Sequence, residues 1–116
     1  MNVLRFDHHT APYNALRIAE ELTLLEDHYV GDRCLDCVTK HLLRIRAYAI
    51  EGVELPDSHV KPLLERAREM AEKHLRLAHL EGSPERIPSM VEEVRGLRKE
   101  IAKQLFGVDV TVSHHH

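Results

Sequence analysis

The sequence predicts an all-α protein, an antiparallel up-and-down four-helix bundle with short β-strands at its two ends. Three observations support this fold class. Leu, Ala, Glu, Arg and Lys are frequent while aromatic residues make up only 4% of the chain, apolar residues recur at helical spacing in four segments, and short turns separate these segments. The 116 residues fit one domain over residues 1–113, and residues 114–116 are interpreted as a purification-tag remnant.

The first two helices are predicted to form a hairpin. The first begins near residues 12–14 and stops at Gly31, and Asp32 is expected to cap a second helix that starts at residue 33 or 34. The first helix has an apolar stripe of Ala15, Ile18, Leu22, Leu25 and Tyr29. The second has a stripe of Leu35, Val38, Leu42, Ile45 and Ala49, widened by Leu43, Ala47, Tyr48 and Ile50. We therefore expect the second helix to be the most buried one or to face a second subunit.

Two further helices complete the predicted bundle. The third has an irregular first turn at Pro62 and a stripe of Val60, Leu64, Ala67, Ala71, His74 and Ala78. The fourth follows the turn at residues 82–84, ends at Gly107, and is expected to bury Ile87, Val91, Val94, Leu97, Ile101 and Leu105. Residues 108–112 alternate apolar and polar side chains, which predicts a strand that could pair with residues 3–6. His74 is interpreted as a packed, hydrogen-bonded histidine.

The residues with the most distinctive chemistry cluster in the predicted hairpin. On a helix that turns about 100° per residue, Cys34, Cys37 and His41 project from one edge, and His28 lies across the turn at the end of the first helix. Two thiolates and two imidazoles are the ligand set that tetrahedral Zn²⁺ prefers. We therefore predict that these four residues bind a structural Zn²⁺ that fixes the hairpin, in a binding or accessory module rather than an enzyme.

Two other interpretations of the cluster stay open. If His28 points away, three ligands would leave an open position for a zinc-activated water, with a carboxylate of residues 26–27 as base. Alternatively, the helix macrodipole would stabilise a thiolate at Cys34, Cys37 would resolve a mixed disulfide, and His41 would shuttle protons. The protein would then be a thiol-dependent oxidoreductase or peroxidase with these last three residues as its catalytic group.

Two resemblances to known proteins involve the same residues. The pattern Cys34-x-x-Cys37-x-x-x-His41, followed by Leu, Arg and Ala, resembles the core motif of the all-helical carboxymuconolactone decarboxylase and alkylhydroperoxidase-D family. In peroxidase members of that family the two Cys and the His, with an upstream Glu, carry peroxide reduction. A longer pattern is similar to small uncharacterised helical proteins of phages and bacteria, namely Glu26-Asp27-His28, Cys34-x-Asp36-Cys37-x-x-Lys40-His41, Ala47 and Glu51. That similarity implies no established activity, but it groups His28, Asp36 and Lys40 with the cluster and favours metal binding.

Composition and motifs limit the partners, the location and the kinds of site that the sequence predicts. The net charge of −3 disfavours nucleic acid and anionic membranes as partners. No apolar run reaches the roughly 18 residues of a membrane span, and the first residues lack the apolar segment of a signal peptide. We expect a cytoplasmic protein that binds an unknown protein partner or forms a homodimer through its second helix. His8 and His9 are interpreted as part of a polar linker, and the chain has no Glu-x-x-His motif or Gly-rich phosphate loop.

Overall fold

The computed structural model describes residues 9–56, 58–79 and 86–107, which form a compact four-helix bundle and confirm the predicted fold class. The helices are α1 (Ala11–Val30), α2 (Leu35–Gly52), α3 (Lys61–His79) and α4 (Ile87–Phe106), and a 3₁₀ turn at Ser58–Val60 precedes α3. Helix α1 packs on α2 and α4, and α2 also packs on α3, whereas α3 and α4 contact each other less. The predicted strands at residues 3–6 and 108–112 lie outside the described residues. Within those residues, no helix is both long enough and apolar enough to cross a membrane.

The core includes the apolar stripes that the sequence predicts on α1, α3 and α4. The buried members of these stripes are Ala15, Ile18, Leu22, Leu25 and Tyr29 of α1, Leu64, Ala67, Ala71 and His74 of α3, and Val91, Val94, Leu97 and Ile101 of α4. Ile87 and Leu105 at the ends of α4 are partly buried. Each fully buried Leu, Ile or Val side chain contributes about 1.5–3 kcal/mol relative to exposure, so the stripes supply most of the driving force for folding.

The predicted burial of α2 is wrong on its outer side. Leu35, which the periodicity places on the core stripe, is 54% exposed, and Leu43 is 50% exposed. Ala47 is exposed as well. Helix α2 packs on its neighbours through the side that carries Val38, Leu42, Ile45 and Ala49. Leu35, Leu43 and Ala47 therefore face away from the core of this chain, whereas Tyr48 is partly buried against it.

Helix ends follow local backbone chemistry. Pro62 is the second residue of α3, directly after the 3₁₀ turn, where its missing N–H is tolerated. Gly107 ends α4 with a left-handed φ of 68°, as the sequence predicts. At the end of α2, a Cβ added to Gly52 would lie 2.8 Å from Leu64 Cδ1 and 3.1 Å from Asn14 Cβ. Glycine at this position lets α2 approach α1 and α3 closely.

Candidate metal centre at the α1–α2 hairpin

The turn between α1 and α2 occupies residues 31–34 and reverses the chain tightly. The Gly31 N–H donates to the Asp27 carbonyl at 2.9 Å, and the Arg33 N–H donates to the His28 carbonyl at 2.7 Å. A Cβ at Gly31 would lie 2.8 Å from the Asp27 carbonyl oxygen, so only glycine fits without a shift of the backbone. Arg33 has a left-handed φ of 54°. These contacts hold the end of α1 beside the beginning of α2.

Cys34 is the N-cap of α2, which corrects the prediction that Asp32 caps this helix. The Cys34 sulfur accepts a hydrogen bond from the Cys37 N–H at 3.3 Å. Asp32 Oδ1 instead accepts the N–H of Cys34 itself, at 3.0 Å. The left-handed conformation of Arg33 interrupts the helical path, so the helix begins two residues later than Asp32 would require. The Cys34 sulfur consequently lies at the positive end of the α2 macrodipole.

The two thiols of the turn are free, and the surroundings of Cys37 favour its protonated form. Both cysteines are half-buried and neither forms a disulfide. A hydrogen bond to Cys34 is the largest cause that raises the pKa of Cys37, and loss of water around the thiol and the charge of Cys34 add to it. In the same turn, hydrogen bonds from His28 and from the Cys34 N–H lower the pKa of Asp32.

His41 forms a buried pair with a carboxylate that the sequence analysis left outside the cluster. Its Nδ1 lies 2.6 Å from Glu21 Oε1, and the two residues are only 7% and 6% exposed. The Arg44 guanidinium lies 3.9 Å from the other carboxylate oxygen. With a carboxylate as partner, Nδ1 carries the proton of a neutral imidazole and donates it. The lone pair of the ring is then on Nε2.

His28, near the end of α1, also pairs its Nδ1 with a carboxylate. Its Nδ1 lies 2.9 Å from Asp32 Oδ1, and its ring stacks on that of His41, with centroids 5.3 Å apart and planes inclined by 23°. Within the described part of the chain, neither Nε2 has a hydrogen-bond partner. Histidines that bind metals almost always donate their other ring N–H to a carboxylate, carbonyl or water. Each imidazole of the hairpin therefore has a carboxylate contact of the kind that accompanies metal-binding histidines.

The four predicted ligands lie at one end of the hairpin, but their side chains do not form a completed coordination site. Among residues 9–56, 58–79 and 86–107, no three His, Cys, Asp or Glu side chains are close enough together to hold one ion. Asp36 and Lys40, which a resemblance grouped with the cluster, are exposed. Binding of one ion by the two thiols and two imidazoles would require their side chains to rotate toward each other.

Glu26, one of the two carboxylates considered as a base for an activated water, forms ion pairs with two arginines instead. Its carboxylate lies 2.6 Å from Arg95 Nε and 2.7 Å from an Arg98 nitrogen, so it ties α1 to α4. Asp27 is exposed. Burial raises the pKa of Glu26, but the two guanidinium groups lower it further, and the net shift is downward. An ion-paired carboxylate with a lowered pKa is a weak base, which disfavours Glu26 in that role.

Glu21 is the site residue that the sequence analysis missed. The predicted apolar stripe of α1 does not include Glu21, yet this residue is buried against His41. Its spacing carried a signal, because it lies three residues after Ile18, four before Leu25 and seven before His28. Seven residues are about two helical turns, so Glu21 and His28 share one side of α1.

His74 is confirmed as a packed histidine outside the cluster. It is fully buried, with Nδ1 2.8 Å from the Tyr29 hydroxyl and Nε2 2.9 Å from Glu93 Oε1. The network joins α1, α3 and α4 and satisfies both ring nitrogens. His59, in the 3₁₀ turn, is exposed.

Comparison of the chain with protein-family models, with curated proteins and with solved structures gives no match. The function is therefore inferred from the geometry of the hairpin.

Proposed function

We propose that this chain is a small helical binding or accessory protein whose α1–α2 hairpin is clamped by a structural Zn²⁺, with His28, Cys34, Cys37 and His41 as ligands. The observation that carries the proposal is the pair of His–carboxylate contacts. Nδ1 of His28 lies 2.9 Å from Asp32 and Nδ1 of His41 lies 2.6 Å from Glu21, which leaves Nε2 of each ring as the ligand atom. Such contacts fix the tautomer and raise the basicity of a zinc-binding imidazole.

The thiols support the same proposal through their position and charge. Cys34 lies at the N-terminus of α2 and accepts the Cys37 N–H, and both features favour the thiolate that zinc requires. Both cysteines are half-buried and free, so neither sulfur is committed to a disulfide. A site closed by four protein ligands has no position for substrate, and its binding free energy adds directly to folding.

Zinc titration of the chain ending at Ser113 tests this proposal, because the three terminal histidines would bind metal themselves. We expect one zinc per chain and two thiols that react with a disulfide reagent only after a chelator is added. Loss of the His28 ligand in His28→Ala should weaken zinc binding by at least about tenfold. His59→Ala is the matched control, because His59 is exposed and lies outside the hairpin. Equal zinc affinity of His28→Ala and the parent chain would refute the four-ligand site.

A dithiol peroxidase is the second candidate, and two contacts favour it. The Cys37 N–H and the α2 N-terminus would stabilise a Cys34 thiolate, and Glu21 bonded to His41 would take the role of the upstream Glu in the family that the Cys/His motif resembles. His41 would take the proton of the Cys34 thiol on Nε2, the thiolate would attack a hydroperoxide oxygen, the O–O bond would break, and the alcohol would leave with that proton. The resulting sulfenic acid would condense with the Cys37 thiol to a disulfide and release water.

The two candidates give opposite results with peroxide. A dithiol peroxidase in its metal-free form would convert one equivalent of hydroperoxide to alcohol and form one intrachain disulfide. The zinc clamp predicts that the zinc-loaded protein keeps both thiols reduced under the same conditions, because coordinated thiolates are protected. Fast consumption of one equivalent of hydroperoxide by the chain as purified, with formation of the disulfide and no zinc released, would favour the peroxidase.

We also propose that the outer side of α2 binds a second copy of this chain. Leu35 and Leu43 are 54% and 50% exposed, and Ala47 continues the same side one turn later. Exposed apolar residues that cluster on one helix face are typical of protein interfaces. Sedimentation equilibrium should show a dimer that Leu43→Glu dissociates, whereas Glu54→Gln, a change at an exposed residue beyond α2, should not. If the parent chain is a monomer at about 100 µM, the proposed dimer is contradicted.

A further inference from the structure

The two cysteines of the hairpin lie one helical turn apart. Cys34 is the N-cap of α2, and the Val38 N–H donates to the Cys34 carbonyl at 2.9 Å, so this first turn follows the helical path. Residues three apart in a helix have Cα atoms about 5 Å apart, within the range of about 4.4–6.8 Å that a disulfide spans. The Cys34 sulfur also accepts the Cys37 N–H at 3.3 Å. The backbone of this turn therefore suits a disulfide between the two residues.

The surroundings of the two sulfurs favour different roles in the formation of that bond. The N-terminus of α2 and the Cys37 N–H would stabilise a thiolate at Cys34. A hydrogen bond to Cys34 and loss of water around the thiol raise the pKa of Cys37. Both side chains are only half-buried, so solvent reaches part of each. Cys34 is therefore the sulfur suited to attack an external disulfide, and Cys37 is the one suited to complete the intrachain bond.

The shape of the hairpin does not depend on free thiols. The Arg33 N–H donates to the His28 carbonyl at 2.7 Å. Asp32 Oδ1 lies 2.9 Å from Nδ1 of His28 and accepts the backbone N–H of Cys34 at 3.0 Å. These contacts involve backbone, imidazole and carboxylate atoms rather than sulfur. Oxidation of the cysteines would thus remove two ligands of the proposed zinc site while the hairpin keeps its fold.

We propose that zinc binding and a Cys34–Cys37 disulfide are mutually exclusive states of the hairpin, so that a low-molecular-weight disulfide such as oxidised glutathione controls its zinc occupancy. This inference rests on the proposed zinc clamp and names its regulation. In the metal-free chain, the Cys34 thiolate attacks one sulfur of the external disulfide, whose S–S bond breaks and releases one thiolate. The Cys37 thiol loses its proton and attacks the Cys34 sulfur of the mixed disulfide, which releases the second thiolate. The protein thiols lose two electrons and two protons, and the external disulfide becomes two thiols.

Zinc and the oxidant then compete for the same two sulfur atoms. The oxidised chain keeps His28 and His41 but no thiolate ligand. Its zinc affinity should fall by more than about a hundredfold, because loss of an outer-shell partner alone costs about 10–100-fold. Conversely, free zinc at about 100 times its Kd should raise the ratio of dithiol to disulfide about a hundredfold at a fixed glutathione ratio, because zinc binds the dithiol form.

Thiol counting and mass spectrometry of the chain ending at Ser113 test this exclusion. The metal-free chain with excess oxidised glutathione should lose both thiols, gain one intrachain disulfide, and fail to bind zinc until a phosphine reductant restores the thiols. The zinc-loaded chain should keep both thiols under the same conditions. If the metal-free chain keeps its thiols while the reduced chain binds zinc, the redox control is overturned and the clamp stands. If the reduced chain does not bind zinc, the clamp is refuted and this inference fails with it.

Three variants show whether zinc acts through the hairpin. With free zinc held at the same level by a metal buffer, His59→Ala should keep the hundredfold shift of the parent chain. In His28→Ala the shift should shrink by about tenfold or more, because this variant binds zinc more weakly. Equal shifts in these two variants would overturn the proposal. Cys37→Ser should stop at a mixed disulfide between Cys34 and glutathione, and a variant that forms no such adduct would contradict the reaction sequence.

Discussion

Replacing His41 by Ala should destabilise the protein strongly even without metal. The change removes the donor to Glu21 Oε1, a contact of 2.6 Å between residues that are 7% and 6% exposed. A hydrogen bond to a charged group contributes about 1.5–3 kcal/mol, and removal of one partner of a buried pair costs about 3–5 kcal/mol. Arg44, 3.9 Å away with its side chain 48% exposed, offsets part of this. We expect a loss of about 2–4 kcal/mol.

Urea unfolding followed by circular dichroism, in the presence of a chelator, measures this loss directly. The double variant Glu21→Leu/His41→Leu is the informative control, because it replaces both polar partners by apolar groups. We expect it to be more stable than His41→Ala, since no buried carboxylate is left without a donor. The account of the pair is wrong if His41→Ala costs less than about 1 kcal/mol, or if the double variant is the less stable of the two.

Two further predictions concern glycines and pH. Gly52→Ala should lower the free energy of unfolding by about 1–2 kcal/mol, because the new Cβ would lie 2.8 Å from Leu64 Cδ1. Gly96→Ala should raise the free energy of unfolding by up to about 1 kcal/mol, because nothing lies within 4 Å of a Cβ at that position. Urea midpoints that shift in the same direction for both variants would contradict this. Burial lowers the pKa of His74 more than the Glu93 carboxylate raises it. The imidazole of His74 therefore binds a proton more readily in the unfolded chain than in the folded one. Stability falls as the pH drops below about 6.5. His74→Gln should flatten the dependence of the free energy of unfolding between pH 7.5 and 5, measured with chelator present, and an unchanged slope would show that His74 does not contribute.

The bundle could be predicted from the sequence because its core stripes are local patterns. Ala15 to Tyr29 recur at steps of three and four residues, and all five predicted core residues of α1 are buried. Gly31 and Gly107 end their helices where the sequence places them. Periodicity identifies which side of a helix is apolar, but it does not give the number of neighbours that the helix has. Leu35 and Leu43 are exposed for that reason, although their residue type favours the core.

The details of the site depend on tertiary contacts, which the spacing of residues in the sequence does not specify. The convergence of His28 and His41 follows from the short turn between antiparallel helices, and their rings do stack. The cap of α2 depends on the left-handed φ of Arg33, a conformation that is uncommon for a residue other than glycine. The burial of Glu21 depends on a partner 20 residues away. Neither Glu21 nor Asp32 could be assigned to its histidine before the packing of α1 on α2 was known.

Cobalt(II) substitution tests the zinc clamp most directly, because the spectrum reports both the geometry of the site and its sulfur ligands. For the chain ending at Ser113, the proposal predicts the intense visible bands of tetrahedral Co²⁺ together with sulfur-to-metal charge transfer from two thiolates. The charge-transfer intensity should fall by about half in Cys34→Ser, and the visible bands should weaken in His28→Ala. A pale spectrum of six-coordinate Co²⁺, or a charge-transfer band that Cys34→Ser leaves intact, would contradict coordination by the hairpin.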